Sequence, residues 1–128
     1  LIQSAGGLPE NTGKIVSGGP MMGKAIADPD VPVSKGTSGI LLIPAAEANR
    51  AEIYNCVRCG KCIEACAMGL QPYYLLTMSK TGNTTKASAE HIMDCIECGS
   101  CSFVCPSNRP LLDYIRLGKT LVRKSAKS

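Results

Sequence analysis

CVRCGKCIEAC at residues 56–66 and CIECGSCSFVC at residues 95–105 repeat one spacing of four cysteines, C-x2-C-x2-C-x3-C. All eight cysteines of the 128-residue chain lie in these two runs. The chain has one Phe and no Trp, so it can bury little large apolar surface. Small scaffolds of this kind need a staple made by metal or disulfides. The two runs therefore decide the fold of the region that contains them.

The spacing within each run predicts how the sulfurs are used. Three cysteines follow at three-residue steps, and the fourth lies one residue too far along to continue the series. In bacterial ferredoxins with this spacing, the fourth cysteine binds the other of two 4Fe-4S clusters. We therefore expect two clusters with exchanged ligands. The predicted ligands are Cys56, Cys59, Cys62 and Cys105 for the first cluster, and Cys95, Cys98, Cys101 and Cys66 for the second.

Two other uses of the eight thiols are less well supported by the sequence. Two zinc ions would occupy all eight, but zinc gives no reason for a third cysteine at the same step in both runs. Disulfides require an oxidising compartment, and no signal segment opens the chain, which favours a reducing cytosol. Pro106 after the last cysteine fits the ferredoxin pattern, whereas Ala67 at the corresponding position of the first run departs from it.

The residues beside the cysteines predict the surroundings of the clusters. Gly60 and Gly99 allow the backbone to approach each cluster. Arg58 and Lys61 stand against Glu64 in the first run, while Glu97 is the one charged residue of the second run, so the first cluster should be easier to reduce. Apolar residues are expected to keep water away, and these are Ile63, Ile96, Phe103 and Val104.

The rest of the chain predicts an α+β fold with a boundary near residue 45. Residues 1–44 are rich in Gly and Pro, with apolar runs at 15–16 and 40–43 that read as short strands between turns. From residue 45 the sequence AAEANRAEIYNC favours helix and leads into the first cysteine run. The predicted domains are 1–45, with short strands, and 46–128, mainly helical.

Helices are also predicted around the second cysteine run. The connection 67–94 contains two helical segments, PYYLLTMSK and KASAEHIMD, separated by TGNTT. After residue 105, Ser107 or Asn108 is the expected cap of a further helix with Pro110 in its first turn. That helix should pack beside the cysteines through an apolar stripe made by Leu111, Leu112, Ile115, Leu121 and Val122.

Charge and hydropathy restrict the partners. The net charge of +4 comes from residues 107–128, which hold six basic groups against one acidic group and are interpreted as a solvated helix face rather than a nucleic-acid site. The longest apolar stretch, GILLIPAA at 39–46, is too short to span a bilayer. His91 is interpreted as an exposed helix residue rather than a ligand. Residues interpreted as fillers of small cores are Met21, Met22, Met68, Met78 and Met93, and those expected to cover the clusters, or simply to pack, are Tyr73, Tyr74 and Tyr114.

Four stretches together resemble the C subunit of the Rnf electron-transport complex, a membrane ferredoxin:NAD oxidoreductase. They are GKIVSGGPMMGKAI (13–26), DVPVSKGTSGILLIP (30–44), CVRCGKCIEACAMGLQPYYL (56–75) and CIECGSCSFVCPSNRPLLDYIRLGK (95–119). The resemblance implies that residues 1–45 are the C-terminal part of a β-grasp, soluble-ligand-binding segment. It also implies that residues 46–128 form a helical ferredoxin domain with two 4Fe-4S clusters.

The resemblance further implies an electron-transfer role. The chain would relay single electrons at the cytoplasmic face of the cell membrane, held there peripherally by other subunits of the complex. FMN and NADH would bind in a preceding part of the full subunit, so this fragment alone is not expected to catalyse hydride transfer. The alternatives are an iron-sulfur subunit of a heterodisulfide-reductase or dehydrogenase type, which GGPMMG argues against, and a zinc-binding interaction module.

Overall fold

The computed structural model describes residues 1–48 and 51–127. The chain divides into two compact units, Leu1–Ala51 and Glu52–Ser128. The first contains a small antiparallel sheet and the second is helical, so the fold class is α+β, as expected. The sequence placed the boundary near residue 45, and the contacts of the chain place the division between residues 51 and 52.

The first unit is built on three strands in the order β2-β1-β3. These are β1 (Thr12–Ser17), β2 (Lys24–Ile26) and β3 (Ile40–Pro44), and both pairings are antiparallel. Ile15 and Val16 of the central strand are buried, which agrees with the apolar runs in the sequence. A short 3-10 helix, Gln3–Ala5, precedes the sheet.

The glycine-rich turn between β1 and β2 requires its glycines. Gly18 has a φ of 107°, a left-handed backbone that side chains disfavour. A Cβ on Gly23 would lie 2.5 Å from the Gly19 carbonyl oxygen and 2.5 Å from a Val16 methyl group. The segment GGPMMG is thus a tight turn that brings the two strands together.

Helical structure after β3 is shorter than the composition favoured. The structure has one turn of helix, α1 (Ala45–Ala48), and residues 51–60 are not helical. Asn49 and Arg50, which belong to the same predicted segment, lie outside the described residues. Within residues 1–48 and 51–127, no helix has both the length and the apolar character needed to cross a membrane.

The second unit contains five helices within its described part. They are α2 (Lys61–Ala65), α3 (Pro72–Thr81), α4 (Thr84–Ala89), α5 (Ser100–Val104) and α6 (Leu111–Lys127), and a 3-10 helix, Ile92–Asp94, lies before the second cysteine run.

The helical pair predicted between the cysteine runs is confirmed, with different bounds. Helix α3 begins with Pro72 in its first turn and ends at Gly82, whose left-handed backbone directs its N–H to the carbonyls of the last turn. Asn83 caps α4 by accepting a hydrogen bond from the Lys86 N–H at 3.1 Å. Helix α4 ends at Ala89, earlier than the sequence indicated, because His91 adopts a φ of 60°.

The cap predicted for α6 is wrong, although the helix itself is where the sequence placed it. Helix α6 begins at Leu111, just after Pro110, and the Leu112 N–H donates to the Ser102 hydroxyl at 2.9 Å. Ser107 and Asn108 lie before the position that immediately precedes the helix, and both side chains donate instead to backbone carbonyls of the segment before the first cysteine run. The cap therefore comes from α5 rather than from the preceding turn.

The core of the second unit lies between α3 and α6. Most of the predicted stripe of α6 is buried, with Leu111, Leu112 and Ile115 at 5% exposure or less. Val122 packs against the same core, in which four cysteines are partly buried at the edge. The other buried members of this core are Leu70, Leu75, Leu76, Met78, Ala87, Ile92 and Cys101.

Helix α6 approaches α3 closely at Gly118. A Cβ at this position would overlap the Ser79 hydroxyl oxygen and lie 2.7 Å from the terminal methyl of Ile92. Ser79 is itself buried, and its hydroxyl donates to the Leu75 carbonyl at 2.8 Å, so it has little freedom to move. Gly118 is therefore a packing requirement, despite the intrinsic cost of glycine inside a helix.

The substitution Gly118→Ala tests this close approach, because the packing decides whether it raises or lowers the free energy of unfolding. In an open helix the substitution would stabilise the protein by about 1 kcal/mol. Here we expect the free energy of unfolding to fall by about 1–3 kcal/mol because the added methyl overpacks the α3–α6 contact. Thermal unfolding of the full chain measures the change. Leu117→Ala, on the exposed side of the same helix, should be nearly neutral; a stabilising Gly118→Ala would contradict the packing described.

Candidate metal centres

The two cysteine runs fold into the same local structure. In each, a loop that carries the first two cysteines leads into a short helix that carries the third, α2 in the first run and α5 in the second. Arg58 and Glu97 occupy corresponding positions and share a left-handed backbone, with φ values of 55° and 57°. Gly60 and Gly99 follow with φ values of 77° and 82°. The repeat in sequence is thus a repeat in conformation.

The left-handed residues direct backbone N–H groups at sulfur. The Arg58 N–H donates to Cys56 Sγ at 3.4 Å, and the Glu97 N–H donates to Cys95 Sγ at the same distance. Arg and Glu gain nothing from this backbone, which costs about 1–3 kcal/mol at a residue other than glycine. Such strain is typical of functional loops, and here its effect is to orient donors towards thiols whose charged form they favour.

The first candidate site is an open cavity of about 590 Å³ that combines both runs. It is lined by Cys56, Cys59 and Cys62 from the first run and by Cys105 from the second. Cys62 lies close enough to Cys56 and Cys105 for a charge on either to disfavour its own ionisation. Tyr73 and Tyr74 of α3 also line the cavity, as predicted for residues that cover a cluster.

The second candidate site has the reciprocal composition. Its cavity, about 20 Å³, is lined by Cys95, Cys98 and Cys101 from the second run and by Cys66 from the first. Cys95 lies close enough to Cys66 for the two thiols to interact electrostatically. The Leu70 N–H donates to Cys66 Sγ at 3.4 Å, so the borrowed sulfur is oriented by its own backbone contact. This site is narrower and better enclosed than the first.

The donor sets fit 4Fe-4S clusters. Each cavity offers four thiols, which is one for each iron, and backbone N–H groups already point at three of the sulfurs. In the part of the chain that the structure describes, no three His, Cys, Asp or Glu side chains form a group around a single metal-ion position. A cluster with one thiolate per iron does not require the sulfurs to converge on one ion.

Burial controls the ionisation of the innermost thiols. Burial raises the pKa of Cys101 to about 11 and also raises the pKa values of Cys62 and Cys95. Cys98 differs, because hydrogen bonding with the Ser100 side chain lowers its pKa. Since the thiolate is the form that binds metal, buried thiols of this kind release protons when a cation enters the site.

The segment before the first run is tied to the turn after the second. The Ser107 hydroxyl is buried and donates to the Asn55 carbonyl at 2.8 Å, and the Tyr54 N–H donates to the Ser107 carbonyl at 2.9 Å. The Asn108 side chain adds a hydrogen bond to the Glu52 carbonyl at 3.1 Å. These contacts keep the first cysteine run beside Cys105.

Comparison with other proteins agrees with this geometry. Residues 55–109 match the family described as the 4Fe-4S dicluster domain, which spans both cysteine runs. Over 99% of its length, the chain is 42% identical to the C subunit of an ion-translocating oxidoreductase complex from Rhodobacter capsulatus. It is 44% identical over 93% of its length to the C subunit of an Na⁺-translocating ferredoxin:NAD⁺ oxidoreductase complex from Acetobacterium woodii.

The chain is homologous, over nearly its whole length, to one part of these Rnf-type C subunits. A proton-translocating relative, from Clostridium ljungdahlii, is 42% identical over 70% of the chain. The chain spans about a quarter of the length of the first two relatives, at 25% and 27%. The predicted family and the predicted 4Fe-4S ferredoxin-type domain are therefore confirmed, and the eight cysteines fit iron-sulfur binding.

The charges around the second run of this C-subunit homologue differ from the sequence interpretation. Glu97 does not stand alone, because Arg116 Nε donates to one of its carboxylate oxygens at 2.9 Å and Lys119 Nζ donates to the other at 3.0 Å. Burial by itself raises the pKa of Glu97, but the hydrogen bonds from Lys119 and Arg116 outweigh it and lower the pKa. The premise that placed the first cluster at higher potential is therefore wrong.

Sequence reasoning missed these partners because they come from α6, far along the chain from Glu97.

Some predicted contacts of other side chains are also wrong. Phe103 is 75% exposed and lines neither cavity, so it does not keep water from a site. Ile63 and Ile96 line the first and the second cavity, although they are 39% and 60% exposed. Of the five methionines, only Met78 is buried in a core, and His91 is exposed as predicted. At Gly60 the left-handed φ, rather than a crowded backbone, requires glycine.

Ser107→Ala tests the link between the two runs. The substitution leaves the Asn55 carbonyl without its donor, and we expect a loss of about 1 kcal/mol in the free energy of unfolding. Amide exchange should quicken at Tyr54, whose N–H bonds the Ser107 carbonyl. Ser88→Ala, at an exposed site on α4, is the matched control and should change neither quantity. Unchanged exchange at Tyr54 in Ser107→Ala would show that the link does not hold the segment.

Proposed function

We propose that this chain is an electron-relay module with two 4Fe-4S clusters. The first cluster is bound by Cys56, Cys59, Cys62 and Cys105, and the second by Cys95, Cys98, Cys101 and Cys66. One observation carries the proposal: each of two cavities brings together three thiols of one run and the fourth thiol of the other. This is the exchange of ligands that two-cluster ferredoxins use.

The residues of the chain bind and orient the clusters and do no bond-making chemistry of their own. A bound 4Fe-4S cluster accepts and returns one electron at a time. The thiols hold it, the N–H groups of Arg58, Leu70 and Glu97 donate to ligand sulfurs, and Tyr73 and Tyr74 line the first cavity. Hydrogen bonds and burial of this kind tune cluster potentials.

The wider context is an ion-translocating complex. Relatives of the chain are named as C subunits of such complexes, and two of the names include ferredoxin:NAD⁺ oxidoreductase. In this proposal the clusters relay electrons between a flavin site and other subunits at the cytoplasmic membrane face, with membrane contact only through those subunits. FMN and NADH bind elsewhere in the full subunit, so the fragment alone does not catalyse hydride transfer.

The domain assignment follows from the same family. Residues 1–45 form the C-terminal part of a β-grasp segment, and residues 46–128 form the helical two-cluster ferredoxin domain. The three-stranded antiparallel sheet supports the first assignment, and the repeated loop-helix units with their exchanged cysteines support the second. No nucleic acid takes part, and the basic residues of α6 beyond position 120 form a solvated face.

Metal content tests the proposal directly. Anaerobic reconstitution of the full chain with iron and sulfide should give brown protein with about eight irons, four for each cluster. Reduction with dithionite should produce the EPR signals of two interacting 4Fe-4S clusters. Colourless protein that binds two zinc ions instead would support an interaction module and reject electron transfer.

Single cysteine variants test the exchange of ligands. Cys59→Ser and Cys98→Ser each alter one run and provide reference spectra for loss of the first or the second cluster. We expect Cys105→Ser to give the spectrum of Cys59→Ser, because its sulfur completes the first site, and Cys66→Ser to give that of Cys98→Ser. Parallel iron analyses and EPR spectra measure the outcome. The opposite matching would mean that each run keeps its own fourth cysteine.

A further inference from the structure

We propose that Lys119 and Arg116 of α6 position the second cysteine loop and set the reduction potential of its cluster above that of the first. This inference rests on the proposed function, since it concerns the clusters that the cysteines bind. It reverses the order that the charges within the two runs alone suggest. Lys119 and Arg116 act through the loop and are positioning residues, not ligands.

Lys119 is anchored to the second loop at two points. Its Nζ donates to the Cys95 carbonyl at 2.8 Å and to a Glu97 carboxylate oxygen at 3.0 Å. Lys119 is only 5% exposed, so its ammonium group is held out of bulk water by these partners. The Glu97 N–H in turn donates to Cys95 Sγ at 3.4 Å. One chain of contacts thus runs from the lysine to a ligand sulfur.

Arg116 fixes the other side of the same carboxylate. Its Nε donates to the second Glu97 oxygen at 2.9 Å, and its side chain is 21% exposed. Two cationic side chains of α6 therefore bind the carboxylate of Glu97, which lies on the loop between Cys95 and Cys98. The local charge is positive, and most of it is shielded from solvent.

The first loop has the same formal charge but a different environment. Arg58, Lys61 and Glu64 also sum to one positive charge, yet all three are exposed. Arg109 is a further cation that lines the first cavity, but it is only half-buried, whereas Lys119 is 5% exposed. Arg58 occupies the position that corresponds to Glu97, so the first loop lacks a carboxylate there to receive cations from a helix. Water and salt weaken the effect of exposed charges strongly and that of buried charges much less.

This difference in burial predicts the order of the potentials. Reduction adds one negative charge to a cluster, and a fixed buried cation nearby stabilises the reduced form. The second cluster has such a cation in Lys119, whereas the exposed charges of the first loop are screened. An electron shared between the two sites should therefore reside mainly on the second.

The test is potentiometric EPR on the reconstituted full chain, poised with dithionite and mediators. Lys119→Met should make the second cluster harder to reduce by about tenfold in its oxidised-to-reduced ratio at fixed potential, equivalent to ~59 mV. Glu97→Gln removes the negative partner and should shift the same cluster in the opposite direction. Lys119→Arg should restore the original potential in large part. Lys61→Met makes the same side-chain change at the exposed first loop. It should change the oxidised-to-reduced ratio of either cluster at fixed potential by no more than about twofold.

Shifts of the midpoint potential in opposite directions in Lys119→Met and Glu97→Gln would distinguish electrostatic tuning from a merely structural role. If Lys119 only supports the fold, Lys119→Met and Glu97→Gln should both lose iron or shift the midpoint in the same direction, and the inference is overturned. It is also overturned if the first cluster has the higher midpoint in the unaltered chain. A chain that binds no cluster at all rejects the proposed function instead. The spectra of Cys59→Ser and Cys98→Ser identify which midpoint belongs to which site.

Discussion

The arrangement of the second unit depends on the separation of each fourth cysteine from its own run. The first three cysteines of a run lie on one loop and the start of one short helix, while the fourth, at the end of that helix, faces the other cavity. Neither cavity can be lined with four thiols unless α2 and α5 lie side by side. The sulfur geometry therefore restricts the positions of both helices, in a unit whose apolar core is small.

The two sites are alike in their loops and unlike in what surrounds them. Both loops repeat the same left-handed positions and the same N–H to sulfur contact. The first cavity is wide and open to one side, and of the two arginines that line it Arg58 is exposed and Arg109 is half-buried. The second is narrow, and its loop is held by a buried lysine. One repeated cysteine pattern thus lies in two different electrostatic environments.

The sequence was most informative where the chemistry is local. Cysteine spacing predicted the grouping of the thiols that the cavities display, and apolar periodicity predicted α3 and the stripe of α6. The sequence was least informative where segments that are distant along the chain come into contact in the fold. Nothing near Leu111 indicates that Ser102 caps α6, and nothing near Glu97 indicates Lys119. The left-handed backbone of Arg58 and Glu97 was also hidden, because neither residue type favours it.

The close packing of α6 and the charge at the second site have one structural origin. Gly118 lets α6 approach α3 and the Ile92 side chain so closely that a methyl group would not fit. Lys119 is the next residue, and the short distance to the loop allows its ammonium group to reach the Cys95 carbonyl while remaining buried. A wider helix spacing would admit water around the lysine and weaken its field. The close packing at Gly118 thus determines how strongly the charge of Lys119 acts on the second cysteine loop.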